Sequence, residues 1–175
     1  MQLFFGANMK NLSSKAAEVC KWLENLGVAF ECVTHSPAFT IEECKEIENI
    51  IGGKICKNLF LRTTSGNSRF LLMMDGDKKF ITKEISKKLG SSRLSFASGE
   101  EMENILNTSP GSLSITGLIF DKEKSVALAI DKDVAAEEFI CCHPSDNSAT
   151  LKIRTEDVFG KILPFLGITP ILIEI

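Results

Sequence analysis

The sequence predicts a single α+β domain, a mostly antiparallel or mixed sheet flanked by helices, and three observations carry that prediction. Apolar runs of strand length are separated by clusters of Gly, Asn, Asp and Ser. Helical faces, with apolar residues three and four apart, open at capping sequences and close at glycines. The two kinds of segment are mixed without strict alternation, and there is no internal repeat or low-complexity linker. With 175 residues, 44% of them hydrophobic and 25% charged, the chain can bury one continuous core without disulfide help.

The elements follow in order. Residues 13–26 place Ala16, Val19, Cys20, Leu23 and Leu26 on one helical face, widened by Ala17 and Trp22 and closed by Gly27. Alternation from Val28 to Val33 predicts a strand that ends at Thr34-His35-Ser36-Pro37. Thr40 and Glu43 make a capping box for a helix running to about Ile51, where Gly52-Gly53 stops it. Lys57-Asn58-Leu59-Phe60-Leu61-Arg62 and the apolar run 70–74, separated by Ser65-Gly66-Asn67-Ser68, read as a hairpin. Asp75-Gly76-Asp77 turns the chain into a third short strand expected over 78–81.

Residues 82–89 predict a helix stopped by Gly90, and residues 93–96 a short extended piece. Ser98 and Glu101 form a second capping box, for a helix to about Leu106. A loop rich in small hydroxyl residues, 109–118, leads to Leu118-Ile119-Phe120. Residues 126–130, apolar throughout, predict a central strand, and a short helix is expected over 133–137. Residues 139–142 and 150–153 are strands around a tip holding His143-Pro144 and Ser145-Asp146-Asn147-Ser148. A last helix over 155–166, with Glu156 and Asp157 at its positive end, precedes a terminal strand over 171–175. The N-terminal arm and helix, residues 1–27, are expected to belong to the same domain as residues 28–175.

Composition narrows the function. A net charge of -3 and a pI of about 5.5 give no global basic field, so RNA contact must be local and DNA is not an expected partner. The six cysteines show no C-x-x-C spacing, which argues against a zinc cluster, and no metal or cofactor is expected. Leu3-Phe4-Phe5 is too short for a signal-peptide core, and no window reaches the length of a membrane span. A cytoplasmic protein with reduced thiols is the expectation.

Three polar stretches are candidates to converge: Lys57-Asn58 at the mouth of a strand, the loop from Gly111 to Gly117, and His143 with Asn147 in a hairpin tip. Each alone also reads as ordinary turn or edge chemistry. The residue patterns of a serine hydrolase elbow, a zincin and a P-loop are all absent. Cys142 beside His143 suggests a nucleophile pair, but neighbours on a strand face apart.

Taken together and in order, five motifs resemble the bacterial YbaK/ProX family. They are Thr34-His35-Ser36-Pro37-Ala38-Phe39-Thr40-Ile41-Glu42-Glu43, Lys57-Asn58-Leu59-Phe60-Leu61-Arg62, Arg93-Leu94-Ser95-Phe96-Ala97-Ser98, Pro110-Gly111-Ser112-Leu113-Ser114 and His143-Pro144-Ser145-Asp146-Asn147-Ser148-Ala149-Thr150. The resemblance runs from about Val28 to the C-terminus. It is to the freestanding prolyl-tRNA synthetase associated domain, an aminoacyl-tRNA deacylase acting in trans, and it implies a curved mixed sheet and a small pocket for an aminoacylated 3' end. The usual substrate in such relatives is alanine wrongly esterified to the proline tRNA. A transient contact with prolyl-tRNA synthetase is also implied, and no membrane.

Carried over by position, the resemblance makes Lys57, Gly111 and His143 the catalytic set. Asn58, Asn147, Ser112, Leu113 and Ser114 become substrate contacts, and Ala38, Phe39, Thr40 and Ile115 walls that exclude larger side chains. Lys57 would hold the terminal phosphate or carbonyl region, backbone N–H groups of 111–114 the oxyanion, and His143 a water, unless it only fixes the hairpin. Phe39 is the aromatic expected to stack on the single-stranded end, and Lys78, Lys79, Lys83, Lys87, Lys88 and Arg93 are candidates for a basic flank. Many relatives have a proline and a bulky apolar residue where this chain has Ile115-Thr116, so selectivity is open at that point. A deacylase for cysteine on the same tRNA and a non-catalytic sensor of aminoacyl-tRNA or amino acid, regulating proline metabolism, stay open beside the editing reading.

Overall fold

The first helix forms as α1 (Ser14–Asn25), where the Ser13 hydroxyl accepts the Ala16 N–H at 3.3 Å and Ala16, Val19, Cys20 and Leu23 are buried. The structure is a computed structural model that describes residues 12–38 and 41–175. Strand β1 (Phe30–Thr34) and helix α2 (Ile41–Ile51) follow; the capping pair expected for α2 involves Thr40, which lies outside the described residues. Strands β2 (Lys57–Thr63) and β3 (Arg69–Met74) form the expected antiparallel hairpin, with Lys57 opposite Met74. After α3 (Thr82–Lys88) and β4 (Leu94–Phe96), α4 (Gly99–Leu106) starts at the expected capping box, with both reciprocal bonds between Ser98 and Glu101 made.

The second half adds a 3-10 turn (Ile115–Ile119), β5 (Val126–Asp131), α5 (Lys132–Ala136), β6 (Phe139–Cys142) and β7 (Ala149–Arg154). The last helix begins as α6 (Thr155–Asp157), widens into a π turn (Val158–Ile162) and resumes as α7 (Leu163–Leu166). Pro164 sits at the start of α7 and has no N–H to donate one turn back, so the wider turn lets the helix pass it. Strand β8 (Ile171–Ile173) ends the order.

These strands make two sheets. One is three-stranded and antiparallel, β1-β7-β6; the other is five-stranded and mixed, β4-β2-β3-β5-β8, with β5 parallel to both β3 and β8. Among the described residues the one isolated β-bridge joins Ile55, just before β2, to Cys141 in β6.

Residues 70–74 of β3 and 128–130 of β5 are apolar throughout, because there both faces of the larger sheet are covered. Phe60, Leu71, Met73, Leu128 and Ile130 point into the main core with α1, the inner face of the small sheet and the last helix. The alternate residues Leu61, Phe70, Leu72, Met74 and Ala129 point the other way, onto Ile85 of α3. Among the described residues no helix is long and apolar enough to cross a membrane.

The sequence expectation of a strand over 78–81 is corrected: these residues form no strand. Both edges of β3 are already occupied, by β2 and β5, so no partner is available. The segment is held instead through Lys78, whose Nζ lies 2.8 Å from the fully buried Asp131 at the end of β5 and 2.6 Å from Asp133.

Candidate active site

Local structure brings the three polar stretches to one cleft of about 470 Å³, lined among others by Ala38, Cys56, Lys57, Asn58, Gly111, Leu113 and His143. Lys57 is the first residue of β2, and its Nζ donates to the Lys78 carbonyl at 3.1 Å, which uses one ammonium hydrogen and fixes the head group. Asn58 Nδ2 donates to the Cys56 carbonyl at 3.1 Å, so this side chain is tied to the strand entrance.

The loop after α4 reaches the cleft through Gly111. Its φ of +90° is the left-handed region that favours glycine, and a Cβ there would lie 3.7 Å from Asn147 Nδ2. The glycine therefore lies close to the hairpin tip. The Ser112 N–H is bound to the Ser109 carbonyl at 3.0 Å, whereas those of Gly111 and Leu113 make no hydrogen bond to another described residue. Two donors on alternate residues of a turn, with the N–H between them already spent, can serve an anionic oxygen.

His143 is anchored from both sides. Its Nδ1 lies 2.9 Å from the Ala149 carbonyl, which can only accept, so Nδ1 carries the proton and Nε2 is the basic nitrogen of the neutral ring. Burial, with the His35 ring 6.3 Å away as a further cause, holds the imidazole below its ordinary value of 6.5, so it is neutral near pH 7. Its main-chain carbonyl accepts from Ser114 Oγ at 2.5 Å and from Thr116 Oγ1 at 2.9 Å.

The remaining expected positions are placed as follows. Ser112 and Ser114 are buried behind the cleft, with Ser114 spent on His143. Ile115 is fully buried in the main core and does not line the cleft. Asn147 lies beside Gly111 without being part of the lining, and Phe39 and Thr40 lie outside the described residues. The unusual Thr116 has a structural use here, because its hydroxyl helps hold the histidine tip.

Other groups complete the cleft and were not singled out from the sequence. Lys54 Nζ is clamped by Asp75 (2.8 Å) and Asp77 (2.9 Å), which hold its ammonium well above the ordinary lysine range. Glu48, Cys44 and Lys45 line the side formed by α2. The proximity of Lys54 to the acid-rich turn 75–77 depends on strand pairing, so no local spacing announces it; the density of charge around Gly52-Gly53 is the one available signal.

Burial holds the nearby thiols protonated: it raises Cys44, on the cleft lining, above the ordinary thiol range, pushes Cys56 up to about 12 and puts Cys142 well above that range, which disfavours a thiolate nucleophile. Among the described residues no group of three or more His, Cys, Asp or Glu is placed to hold a metal ion.

Comparison with known proteins gives concordant results. The family model described as aminoacyl-tRNA editing domain matches residues 35–160. The prolyl-tRNA editing protein ProX of Acetoanaerobium sticklandii is 34% identical over 165 residues, covering 94% of this chain and 99% of that protein. The prolyl-tRNA synthetase associated domain-containing protein 1 of Danio rerio is 28% identical over 159 residues, covering 90% of this chain and 85% of that one. A crystal structure of a candidate trans-editing enzyme for prolyl tRNA synthetase superimposes with a TM-score of 0.71 at 17% identity, covering 94% and 99% of the two chains, and shares the fold.

Proposed function

The chain belongs to the aminoacyl-tRNA editing domain family, and from that premise we propose that it is a trans-acting deacylase that hydrolyses alanine from mischarged proline tRNA. The observation that carries this reading is the convergence of Lys57, Gly111 and His143, from three separate chain segments, on one cleft. Its size suits a small aminoacyl group and part of the terminal ribose.

An aminoacyl ester is already activated, so the site must place a water, stabilise one developing negative charge and exclude larger side chains. In the proposed mechanism the Lys57 ammonium holds the terminal phosphate or the carbonyl region. The Gly111 and Leu113 N–H groups receive the oxyanion as the water oxygen attacks the carbonyl carbon. His143 Nε2, together with the neighbouring ribose hydroxyl, takes the water proton and returns it to the ribose oxygen as the ester C–O bond breaks. No covalent enzyme intermediate is needed.

Selection by size then falls to Ala38 and Leu113 on the cleft wall. A synthetase pocket that fits proline gains only about 1–3 kcal/mol per methylene over a smaller competitor, so a second, narrower sieve is useful. The substrate would be met in the cytoplasm, with prolyl-tRNA synthetase as a transient neighbour. Lys45 and Lys57, cations on the cleft that make no ion pair among the described residues, supply the local contact that a net charge of -3 cannot.

The test is deacylation of proline tRNA charged separately with alanine, cysteine, serine and proline. Loss of alanine alone is expected. Loss of cysteine in its place would reassign the substrate, and no loss of any ester would leave the sensor reading as the better one. A pH profile checks the histidine: kcat/KM is expected to be flat near neutrality and to fall as pH drops through the depressed His143 value, below 6.5. A profile with no fall there would leave His143 a purely structural role.

A further inference from the structure

The deacylase reading leaves one charged group in the cleft without a task. Glu48 lies in the last turn of α2 and lines the cleft with Cys44, one turn earlier on the same helix face. Its Oε1 accepts the Ile55 N–H at 2.8 Å, and its main-chain carbonyl accepts the Gly52 N–H at 2.9 Å and the Gly53 N–H at 3.3 Å. The backbone is held at its carbonyl and the side chain at Oε1, which leaves Oε2 as the remaining acceptor. Among the described residues Glu48 makes no ion pair: Lys54 is spent on Asp75 and Asp77, and Lys45 pairs with no carboxylate.

A half-buried carboxylate with one neutral donor is incompletely compensated, and a cation brought by the ligand would complete it. An aminoacyl ester carries such a cation, its α-ammonium group, two bonds from the carbonyl carbon. We propose that Glu48 receives the α-ammonium group of the aminoacyl ester, so that the site accepts free aminoacyl esters and turns away those blocked at nitrogen. The inference rests on the deacylase reading and names the group that orients the acyl end. Lys57 and the loop donors hold one side of the carbonyl carbon, and Glu48 fixes the substituent on the other.

The experiment compares wild type with Glu48→Gln on proline tRNA carrying alanine and on the same tRNA carrying lactate, in which a hydroxyl replaces the ammonium group. Glutamine keeps an oxygen for the Ile55 N–H and removes the charge. For the alanyl ester kcat/KM is expected to fall about tenfold in the variant, the worth of a hydrogen bond between charged groups, with the lactyl ester changed by less than about twofold. An equal fall for both esters would show a structural role and overturn the proposal, as would no change in either. If wild type hydrolysed neither ester, the deacylase reading would fail by itself. Equilibrium binding of the same two charged tRNAs to both proteins then decides the Glu48 assignment, by the same ratio.

Discussion

Replacing Lys57 by alanine is expected to lower the rate of ester hydrolysis by about 10²–10³-fold, the usual cost of deleting one fixed donor from a reaction site. The ammonium is anchored on the Lys78 carbonyl, and the residue sits at the first rung of the β2–β3 ladder, opposite Met74. Its charge is therefore presented at a set height above the cleft floor and is not free to wander with solvent. The backbone bonds of that rung do not depend on the side chain, so the variant should fold. Single-turnover deacylation of alanyl-tRNA and thermal unfolding, run side by side, separate the two effects. Full activity would remove Lys57 from the mechanism, and a large fall in Tm would make any loss of rate uninterpretable as chemistry.

Lys78→Met is expected to cost about 3 kcal/mol of stability, because it strands a buried carboxylate whose cation has been removed. Asp131 is completely buried, and Lys78 contacts both of its oxygens, at 2.8 and 3.0 Å. The Asp75 and Asp133 N–H groups would still point at Asp131, at 3.5 and 3.4 Å, but these are long bonds from neutral donors. A urea midpoint shift at constant slope would measure the cost. Affinity for uncharged tRNA should hardly change, which distinguishes this lysine from the exposed Lys79 and Lys83. A stable variant with weakened tRNA binding would return Lys78 to the basic flank suggested by the sequence.

What could be read from the sequence was whatever local chemistry decides. The Ser98–Glu101 cap, the α1 face of Ala16, Val19, Cys20 and Leu23, and the turn between β2 and β3 are each settled within a few residues, and each formed as expected. Helix α7 shows the limit: its apolar spacing was legible, but the π turn that carries the helix past Pro164 depends on how the chain accommodates a missing donor. The segment 78–81 failed as a strand because pairing partners are allotted by the whole sheet, and β5, more than fifty residues away in sequence, had taken the place beside β3. In the cleft, motif order brought out Lys57, Gly111 and His143. Glu48 and Lys54 stayed hidden because their significance lies in what the fold sets opposite them.

The two-sheet construction has a consequence for how such a site can change over time. Lys57 is borne by the five-stranded sheet and His143 by the tip of the three-stranded one, and among the described residues the isolated ladder contact beside them is the Ile55–Cys141 bridge, just before β2. The gap between the two groups is therefore governed by the apolar filling between the sheets, with little help from strand register. Substituting a filler residue such as Leu113 or Cys56 can widen or narrow the opening by fractions of an ångström while every strand keeps its neighbours. A seam of this sort lets descendants of one scaffold drift toward different acyl groups in small steps, with both sheets left intact.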